Sequence, residues 1–550
     1  MIRLLYLTHR WVGVALALFM LLWFSSGLII ANSGSVITTP EQRLAYRQTL
    51  NPQAGWLSLG EALELSAEAR AQSPHDTLHH DTLKSVEHLH RKGNGVSAEN
   101  AIVDARLLRV DDEPIWRIED QSGRLFSISA LDGGLREFSA GNSEHIARQW
   151  LASRALPGGT LPAVIYLDTF DAATSLRNYQ SSRPFHRVAV DDGQGTELIV
   201  AAKTGEVLQA ATRFERSLYY AGNFVHLFRP LDLLNAGELR RNTLLWAGLF
   251  AFVAGLSGMI IGWLRWKPGF FGKPTYSKGR TQPYREFYMH YHFWAGLIGG
   301  TFAVLWAFSG SLSTNPFQVF SQATASDEEL ARFRGGELPS IIKTWKPEAS
   351  RDIDDNVVEL GWSRVGDEAL LLAYTRDGQR VAQNVTETGS RFNDDVLLAA
   401  VQRLAGETKI ASQELLKDYD NYYYPNRRQG RAERPLPVLR VDLTDASYTS
   451  IYIDPQDGRL LTKMDTSRRA YRWLYTALHH WDFGWLHQRP LWTIWMTTWI
   501  LFGLVLSVSS VVLGWRRLRR TFRANVWAPE TSEEAASVRG LTPAGGATEP

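Results

Sequence analysis

The 550-residue chain contains no cysteine. This absence excludes disulfides, cysteine-ligated zinc, iron–sulfur clusters, thiol catalysis and covalently attached c-type haem. The sequence also lacks a G-x-G-x-x-G dinucleotide motif, an H-E-x-x-H zinc motif and a recognisable hydrolytic triad. Its net charge of only +2 gives no reason to expect a nucleic-acid partner.

Long hydrophobic runs are also few, because four segments alone approach the ~20 apolar residues that cross a bilayer. They are residues 7–30, 244–264, 291–313 and 492–515. The first is interpreted as a retained span rather than a signal peptide, since it is long, contains tryptophan and lacks a clear small-x-small cleavage site. The composition therefore predicts a few spans joined by large water-exposed domains.

Basic residues predict the orientation of these spans. They concentrate between the second and third spans and again after the fourth, as Arg265, Lys267, Lys273, Lys278, Arg280, Arg285, Arg516, Arg517, Arg519, Arg520 and Arg523. By the positive-inside rule, that loop and both termini are expected in the cytoplasm. The protein would then sit in a bacterial inner membrane with its large domains in the periplasm.

The predicted order of segments follows directly. It is a first span within residues 1–31, a periplasmic region 32–243, a second span 244–264, a cytoplasmic loop 265–290, a third span 291–313, a periplasmic region 314–491, a fourth span 492–515 and a cytoplasmic tail 516–550. The tail after about Val526 has a composition typical of disorder.

An internal repeat is the most informative feature. Residues 9–32 shifted by 283 positions align without a gap with 292–315, pairing His9 with His292, Trp11 with Trp294 and Gly13 with Gly296. A shift of 253 pairs Gly205 with Gly458, Arg216 with Arg469 and His226 with His479. The chain is therefore predicted to contain two parallel copies of a unit made of a span, an external domain and a second span.

The external regions show short strands joined by glycine turns. Residues 116–135, 197–211 and 449–465 each indicate strand, turn and strand, whereas 57–72 and 393–406 are typical of helices. The expected fold is an α-helical membrane protein with four spans and external α+β domains.

Paired histidines suggest the chemistry. His9 and His292 lie at one membrane edge, and His226 and His479 lie just outside the opposite edge, so each pair could ligate one haem b from both sides of the iron. Gly13 and Gly296 follow the first pair at i+4, on the same helix face.

Other interpretations of these residues stay open. Small residues at i+4 also serve helix packing, and an interfacial histidine can anchor a headgroup. The histidines could also bind zinc or copper instead of haem iron. His290 and His480 are adjacent alternatives that the repeat does not select.

The H-x-W-x-G openings of the first and third spans, the Ser-Gly near their outer ends, and LHHWDFGWL at 478–486 resemble the PepSY-associated transmembrane family. This resemblance implies PepSY-like periplasmic domains and a siderophore reductase with two b-type haems. It places His9 and His292 on an inner haem, and His226 and His479 on an outer one. His226 lacks the DFG that follows His479, which is a departure between the copies.

Several external residues are candidates for further roles. Arg216 and Arg469 could pair with haem propionates or anchor at headgroups. A tyrosine–arginine tract could stack on a ferric siderophore or form an ordinary basic loop; it contains Tyr422, Tyr423, Tyr424, Arg427 and Arg428. The histidine-rich residues 75–90 could bind metal or form a polar loop.

The leading hypothesis is a haem b-dependent ferric-siderophore oxidoreductase supplied by quinol or an unidentified cytoplasmic electron donor. One alternative is a haem-free regulator or assembly factor that binds a peptidase or another protein. A second is a metal or haem carrier without redox chemistry. Histidines repeated at two membrane depths favour the oxidoreductase over the regulator, but do not separate it from the carrier.

Overall fold

The computed structural model describes residues 2–72, 102–120, 123–154, 160–273, 275–335, 338–383, 389–426, 429–486 and 488–526. The histidine-rich residues 75–90, Arg427, Arg428 and the tail after Val526 lie outside these ranges. The chain divides into two compact units. The first contains Met1–Ala31, Val225–Thr314 and Gln488–Pro550, and the second contains Asn32–Phe224 and Asn315–His487.

The first unit contains four helices long and apolar enough to cross a membrane, which confirms the four predicted spans. They run over Ile2–Asn32, Gly237–Arg265, Phe287–Ser311 and Leu491–Val526. The second span begins seven residues earlier than its apolar run because its first turns are polar and ion-paired. Arg241 pairs with Glu238, and Arg240 donates to Asp232 at 2.7 Å.

Small residues bring the spans close together. A Cβ built on Gly248 of the second span would lie 2.9 Å from the Ser311 Cβ of the third. One on Gly503 of the fourth span would lie 2.2 Å from the Phe24 ring of the first. Such contacts are typical of membrane helices, which associate by close packing rather than by the hydrophobic effect.

The second unit combines short helices with antiparallel strands. Its helices of five or more residues include Pro40–Ala45, Leu59–Gln72, Ala140–Ala152, Arg213–Tyr219, Asp327–Arg334, Ser340–Thr344, Asp394–Ala405 and Thr466–Tyr471. Short helices Pro230–Leu233, in the first unit, and Leu478–His480, in the second, precede the second and fourth spans. The helices expected within 57–72 and 393–406 are thus confirmed.

The strands fall in three groups along the chain. The first group is β1 (Ile102–Val110), β2 (Glu113–Asp120), β3 (Leu125–Ser129), β4 (Leu135–Arg136), β5 (Val164–Phe170), β6 (Phe185–Val190), β7 (Glu197–Ala201) and β8 (Val207–Ala211). The second is β9 (Val357–Val365), β10 (Glu368–Thr375) and β11 (Arg380–Gln383). The third is β12 (Ile410–Leu416), β13 (Val438–Leu443), β14 (Ser450–Ile453) and β15 (Leu460–Met464). The three hairpins expected from glycine turns are present.

These strands form three antiparallel sheets. Each half of the chain has its own four-stranded sheet, β5-β6-β7-β8 in the first and β12-β13-β14-β15 in the second. The third sheet has seven strands in the order β11-β10-β9-β1-β2-β3-β4, so it is shared by both halves. The expected external modules are therefore not independent, since hydrogen bonds between β1 and β9 join them.

The register of that junction is symmetric. Arg106 of β1 faces Gly361 of β9, and Leu107 faces Leu360. β1 and β9 hold corresponding places in the two halves, and Gly361 is the counterpart of Arg106. A bare glycine there accommodates the Tyr374 ring, which would lie 3.0 Å from an added Cβ and over which the Arg106 guanidinium stacks at 4.8 Å.

A buried ionic network lies beside the junction. Glu359 is 1% exposed and accepts from Arg106 at 2.5 Å and from Arg47. Glu206 pairs with the same Arg47 and with Arg117 at 2.8 Å. These four pairs connect β1, β2, β9 and the β7–β8 turn, so the charges of each half are neutralised partly by the other.

The turns at Gly205 and Gly458 show that the two halves pack alike. Both glycines have positive φ, +65° and +68°. A Cβ on Gly205 would lie 2.3 Å from Val110 Cγ1, and one on Gly458 would lie 2.3 Å from Val365 Cγ2. Since an L side chain is disfavoured at this φ and has no room, glycine is required at both turns.

Gly458→Ala should destabilise the second unit by about 3 kcal/mol, because backbone strain and overpacking both act there. The measurement is thermal unfolding of the full chain in detergent. Gly378→Ala is the matched control, since Gly378 has φ +82° but no atom within 4 Å of an added Cβ. Equal losses in the two variants would show that packing against Val365 contributes nothing.

Candidate functional site

The first and third spans bring two histidines together, as the repeat predicts. The ring centres of His9 and His292 are 6.1 Å apart and the rings are inclined at 51°. Each ring is partly buried between helices of the first unit. Among the described residues, no group of three or more His, Asp or Glu side chains could hold a metal ion.

The second span orients His9. Its Nδ1 lies 2.9 Å from the carbonyl oxygen of Ala254, which can only accept, so Nδ1 carries the hydrogen. The hydroxyl of Ser257 donates to the same oxygen at 2.9 Å. An added Cβ on Gly258 would lie 2.5 Å from His9 Cε1. The imidazole thus occupies space that only glycine leaves open.

The fourth span orients His292 in a corresponding way. Its Nδ1 lies 3.2 Å from Ser509 Oγ and 3.4 Å from Ser510 Oγ. Both hydroxyls donate to carbonyls of their own helix, Ser509 to Val505 and Leu506, and Ser510 to Leu506. Their oxygens therefore accept from His292, and Nδ1 again carries the hydrogen.

Both imidazoles consequently present Nε2 as a lone pair. Across the described ranges, neither Nε2 takes part in a hydrogen bond. A ligating histidine commonly donates its other ring N–H to a carbonyl or hydroxyl, which fixes the tautomer and raises the basicity of the ligand nitrogen. Ala254 and the two serines provide this arrangement.

The spacing of the pair suits one shared iron. Two imidazoles that bind one metal from opposite sides, with each nitrogen about 2 Å from it, have ring centres about 6 Å apart. One turn above His9, Gly13 has no atom within 4 Å of an added Cβ, so the helix is bare beside the ring. Gly296, one turn from His292, would place its Cβ 3.5 Å from Leu506. The donor set and the open helix face fit a bis-histidine haem.

His290 differs in its tautomer. Gln282 is buried; its Oε1 accepts from the Tyr284 amide, and its Nε2 lies 2.7 Å from His290 Nδ1. The amide therefore donates to Nδ1, so the hydrogen of neutral His290 is on Nε2. His290 has no lone pair free to replace His292 as a ligand.

His226 lies at the opposite end of the first span. Its Nδ1 is 3.0 Å from Ser26 Oγ, and its carbonyl accepts from Trp23 Nε1 at 3.1 Å. Ser26 donates its own hydroxyl hydrogen to Leu22 at 2.7 Å, so the serine oxygen accepts from His226. His226 is thus a third imidazole whose Nδ1–H donates to a residue of a span.

His479 belongs to the second unit and lies in the short helix Leu478–His480, which follows a π-helical segment, Arg472–Ala477. Its ring stacks on Tyr475 at 5.4 Å, and His480 meets the same tyrosine edge-on at 5.3 Å. A π-helical segment, Tyr220–Phe224, also precedes His226. Such segments are frequent at functional sites.

The tyrosine tract does not form the expected surface. Tyr423 is completely buried and stacks on Tyr452 at 5.3 Å. Tyr424 is 8% exposed and donates to Asp482, in the DFG that follows His479 and His480. Tyr422 is half-buried, and its hydroxyl accepts from Trp473 Nε1 at 3.4 Å. The expectation that all three rings face a substrate is therefore wrong, because Tyr423 packs in the core and Tyr424 bonds the DFG turn.

Arg216 and Arg469 make equivalent contacts with their own sheets. Arg216 donates to the Gly195 carbonyl, just before β7, and to Glu197, the first residue of β7. Arg469 donates to the Tyr448 carbonyl and to Ser450, the corresponding positions before and in β14. Their recurrence is accounted for by anchoring a helix to a strand.

The residues that orient the histidines were not predicted. Ala254 contributes a backbone oxygen, which no motif reveals. Ser509 recurs as Ser257 in the repeat. A small polar residue that both copies keep inside a span was the sequence feature that could have revealed this role.

A profile described as the PepSY-associated TM region matches residues 6–367 and again 289–535. The two matches together cover most of the chain. No curated protein matches it.

Proposed function

Because the chain belongs to the PepSY-associated TM family, we propose that it is a di-haem membrane oxidoreductase that reduces ferric siderophores outside the inner membrane. The observation that carries the proposal is the His9–His292 pair, with ring centres 6.1 Å apart. Both rings have Nδ1 held by a neighbouring span and Nε2 left to bind iron.

When bound, a haem held by His9 and His292 would supply one-electron transfer without an open coordination position. The contribution of the chain is to hold His9 and His292 in one tautomer and at one spacing. The Ala254 carbonyl and the Ser509 and Ser510 hydroxyls do this from two different spans. The site is thereby suited to electron transfer rather than to oxygen activation.

The position of His226 supports a second, outer redox site. Ser26, which bonds His226, follows His9 by seventeen residues on one helix, a rise of about 26 Å at ~1.5 Å per residue. Imidazoles therefore stand near both ends of the same span. In the proposal His226 is a ligand of this outer site, and the cytoplasmic side supplies electrons to the inner pair.

Substrate reduction needs no protonation by the protein. Fe(III) is held by hard oxygen donors, and one-electron reduction weakens that hold, so the metal leaves the siderophore as Fe(II). The chain must then supply an electron path and a surface near the outer histidines. The half-buried Tyr422 ring, with Arg469 stacked at 5.4 Å, remains a candidate for that surface.

The test is reduction across a membrane. Proteoliposomes containing trapped dithionite and an external ferric hydroxamate should form external Fe(II), detected with ferrozine, about tenfold faster than protein-free vesicles. His9→Ala should abolish the increase. If iron or haem crosses the membrane at the same rate with and without trapped dithionite, the protein is a carrier. If haem-loaded protein does not increase the rate of Fe(II) formation, the protein is not a reductase.

A further inference from the structure

A cavity in the second unit is lined by residues that could bind a ligand, and none of the paired histidines is among them. The cavity is small and open to solvent, and it lies between helices Pro40–Ala45 and Ala140–Ala152, β1 and the β7–β8 turn. Its lining includes Arg43, Arg47, Arg109, Asp111 and Glu206, and apolar walls from Leu108, Val110, Ile146, Trp150 and Val207. Ligand pockets in proteins commonly combine apolar walls with a few polar groups in this way.

Two donors in the lining have no acceptor. Trp150 is 6% exposed, and its Nε1–H finds no hydrogen-bond partner within the described parts of the chain. The same holds for the buried Arg109 Nε–H, although the NH2 group of Arg109 donates to the Asp112 carbonyl at 3.0 Å. A buried N–H without an acceptor costs about 1–3 kcal/mol. A ligand that offers oxygen atoms would remove this cost.

The charges favour a monoanion. Three arginines and two carboxylates line the cavity. Both carboxylates are already paired, Glu206 with Arg47 and Arg117, and Asp111 with His145 and Asn142. Within the described ranges Arg109 forms no ion pair, so its guanidinium is the charge that a single carboxylate can neutralise. Arginine and carboxylate also match in geometry.

The corresponding part of the second half shares Arg364, which takes the place of Arg109 and also has a buried nitrogen without a hydrogen-bond partner among the described residues. The counterparts of Ile146 and Trp150 are Ala400 and Leu404, and Phe333 packs with both in one apolar cluster. The counterpart of Glu206 is Arg459. Since the two halves otherwise pack alike, the Trp150 donor and the Glu206 carboxylate distinguish the first half.

We propose that this cavity binds a small organic carboxylate, whose two oxygens accept from Trp150 Nε1 and Arg109 Nε and whose body contacts the apolar walls. The site is formed entirely by residues of the first half. It requires neither haem nor the histidine pairs.

Fluorine NMR of the full-length protein labelled with 5-fluorotryptophan tests this proposal. Trp150→Phe identifies the Trp150 resonance among twenty tryptophans. Benzoate should shift that resonance saturably, with half-saturation at about 1 mM. Benzamide, of the same shape without charge, should bind at least about tenfold more weakly.

Arg109→Gln should abolish the benzoate shift, whereas Arg364→Gln, at the corresponding position of the second half, should preserve it. The unchanged dispersion of the other resonances reports that each variant is folded. Absence of a saturable shift up to about 50 mM would show that the cavity holds only water. An equal shift with benzamide would contradict recognition of a carboxylate.

Discussion

His292→Ala should reduce the haem content of the purified protein from about two per chain to about one, because the alanine leaves His9 without the second ligand of its pair. The remaining haem should keep a low-spin spectrum. His9→Ala should have the same effect, since each histidine supplies one side of one iron. The measurement is a pyridine haemochrome assay normalised to protein concentration.

His290→Ala is the matched control, two residues away on the same span. The Gln282 amide donates to His290 Nδ1, so His290 is not available as a ligand, and this variant should keep both haems. Thermal unfolding of the three variants separates loss of haem from loss of fold. If His290→Ala loses a haem and His292→Ala does not, the ligand assignment on the third span is wrong.

Glu206→Gln should lower the stability of the second unit by about 3 kcal/mol at neutral pH. The amide leaves Arg47 and Arg117 without the carboxylate that both contact, in a region where all three side chains are largely buried. Removing one member of a buried ionic group leaves uncompensated charge, which is far more costly than losing an exposed pair. Thermal unfolding measures the difference.

The effect of this substitution should depend on pH. Burial opposes ionisation of Glu206, but Arg117, Arg47, Arg43 and Arg106 outweigh it and hold the pKa of this carboxyl well below its usual value of 4.5. A carboxyl whose folded-state pKa is lowered stabilises the protein fully above its unfolded pKa, and this contribution is lost as the pH falls through the folded value. The difference between wild type and Glu206→Gln should therefore be largest near pH 7 and shrink below about pH 4.

Glu61→Gln is the control for this prediction. Glu61 pairs with Lys346 in the same unit, but the two side chains are 39% and 47% exposed. Its loss should cost less than about 1 kcal/mol. Equal destabilisation by the two substitutions would mean that burial of the Glu206 network does not matter.

The features predicted from sequence are those with a local physical cause. The bilayer sets a minimum apolar length, so four spans could be recognised, although the polar first turns of the second span could not. Glycine turns such as Gly205 and Gly458 mark hairpins because they need positive φ. The repeat placed His9 opposite His292 because equivalent residues of two copies meet at one depth.

Features that depend on distant contacts were not predictable. The pairing of β1 with β9 joins residues about 250 positions apart, and its register follows from packing of the whole second unit. Composition could not tell that Tyr423 faces the core, since an aromatic–basic tract is as compatible with a buried stack as with a surface. The Ala254 carbonyl that orients His9 has no side-chain signature at all.

The most direct test of the central claim is the absorption spectrum of the full chain purified from haem-replete cells. The account predicts a low-spin b-type spectrum, with about two haems per chain in the pyridine haemochrome assay. A colourless protein that also fails to take up added haem would contradict the account, because the paired imidazoles of His9 and His292 would then have another purpose.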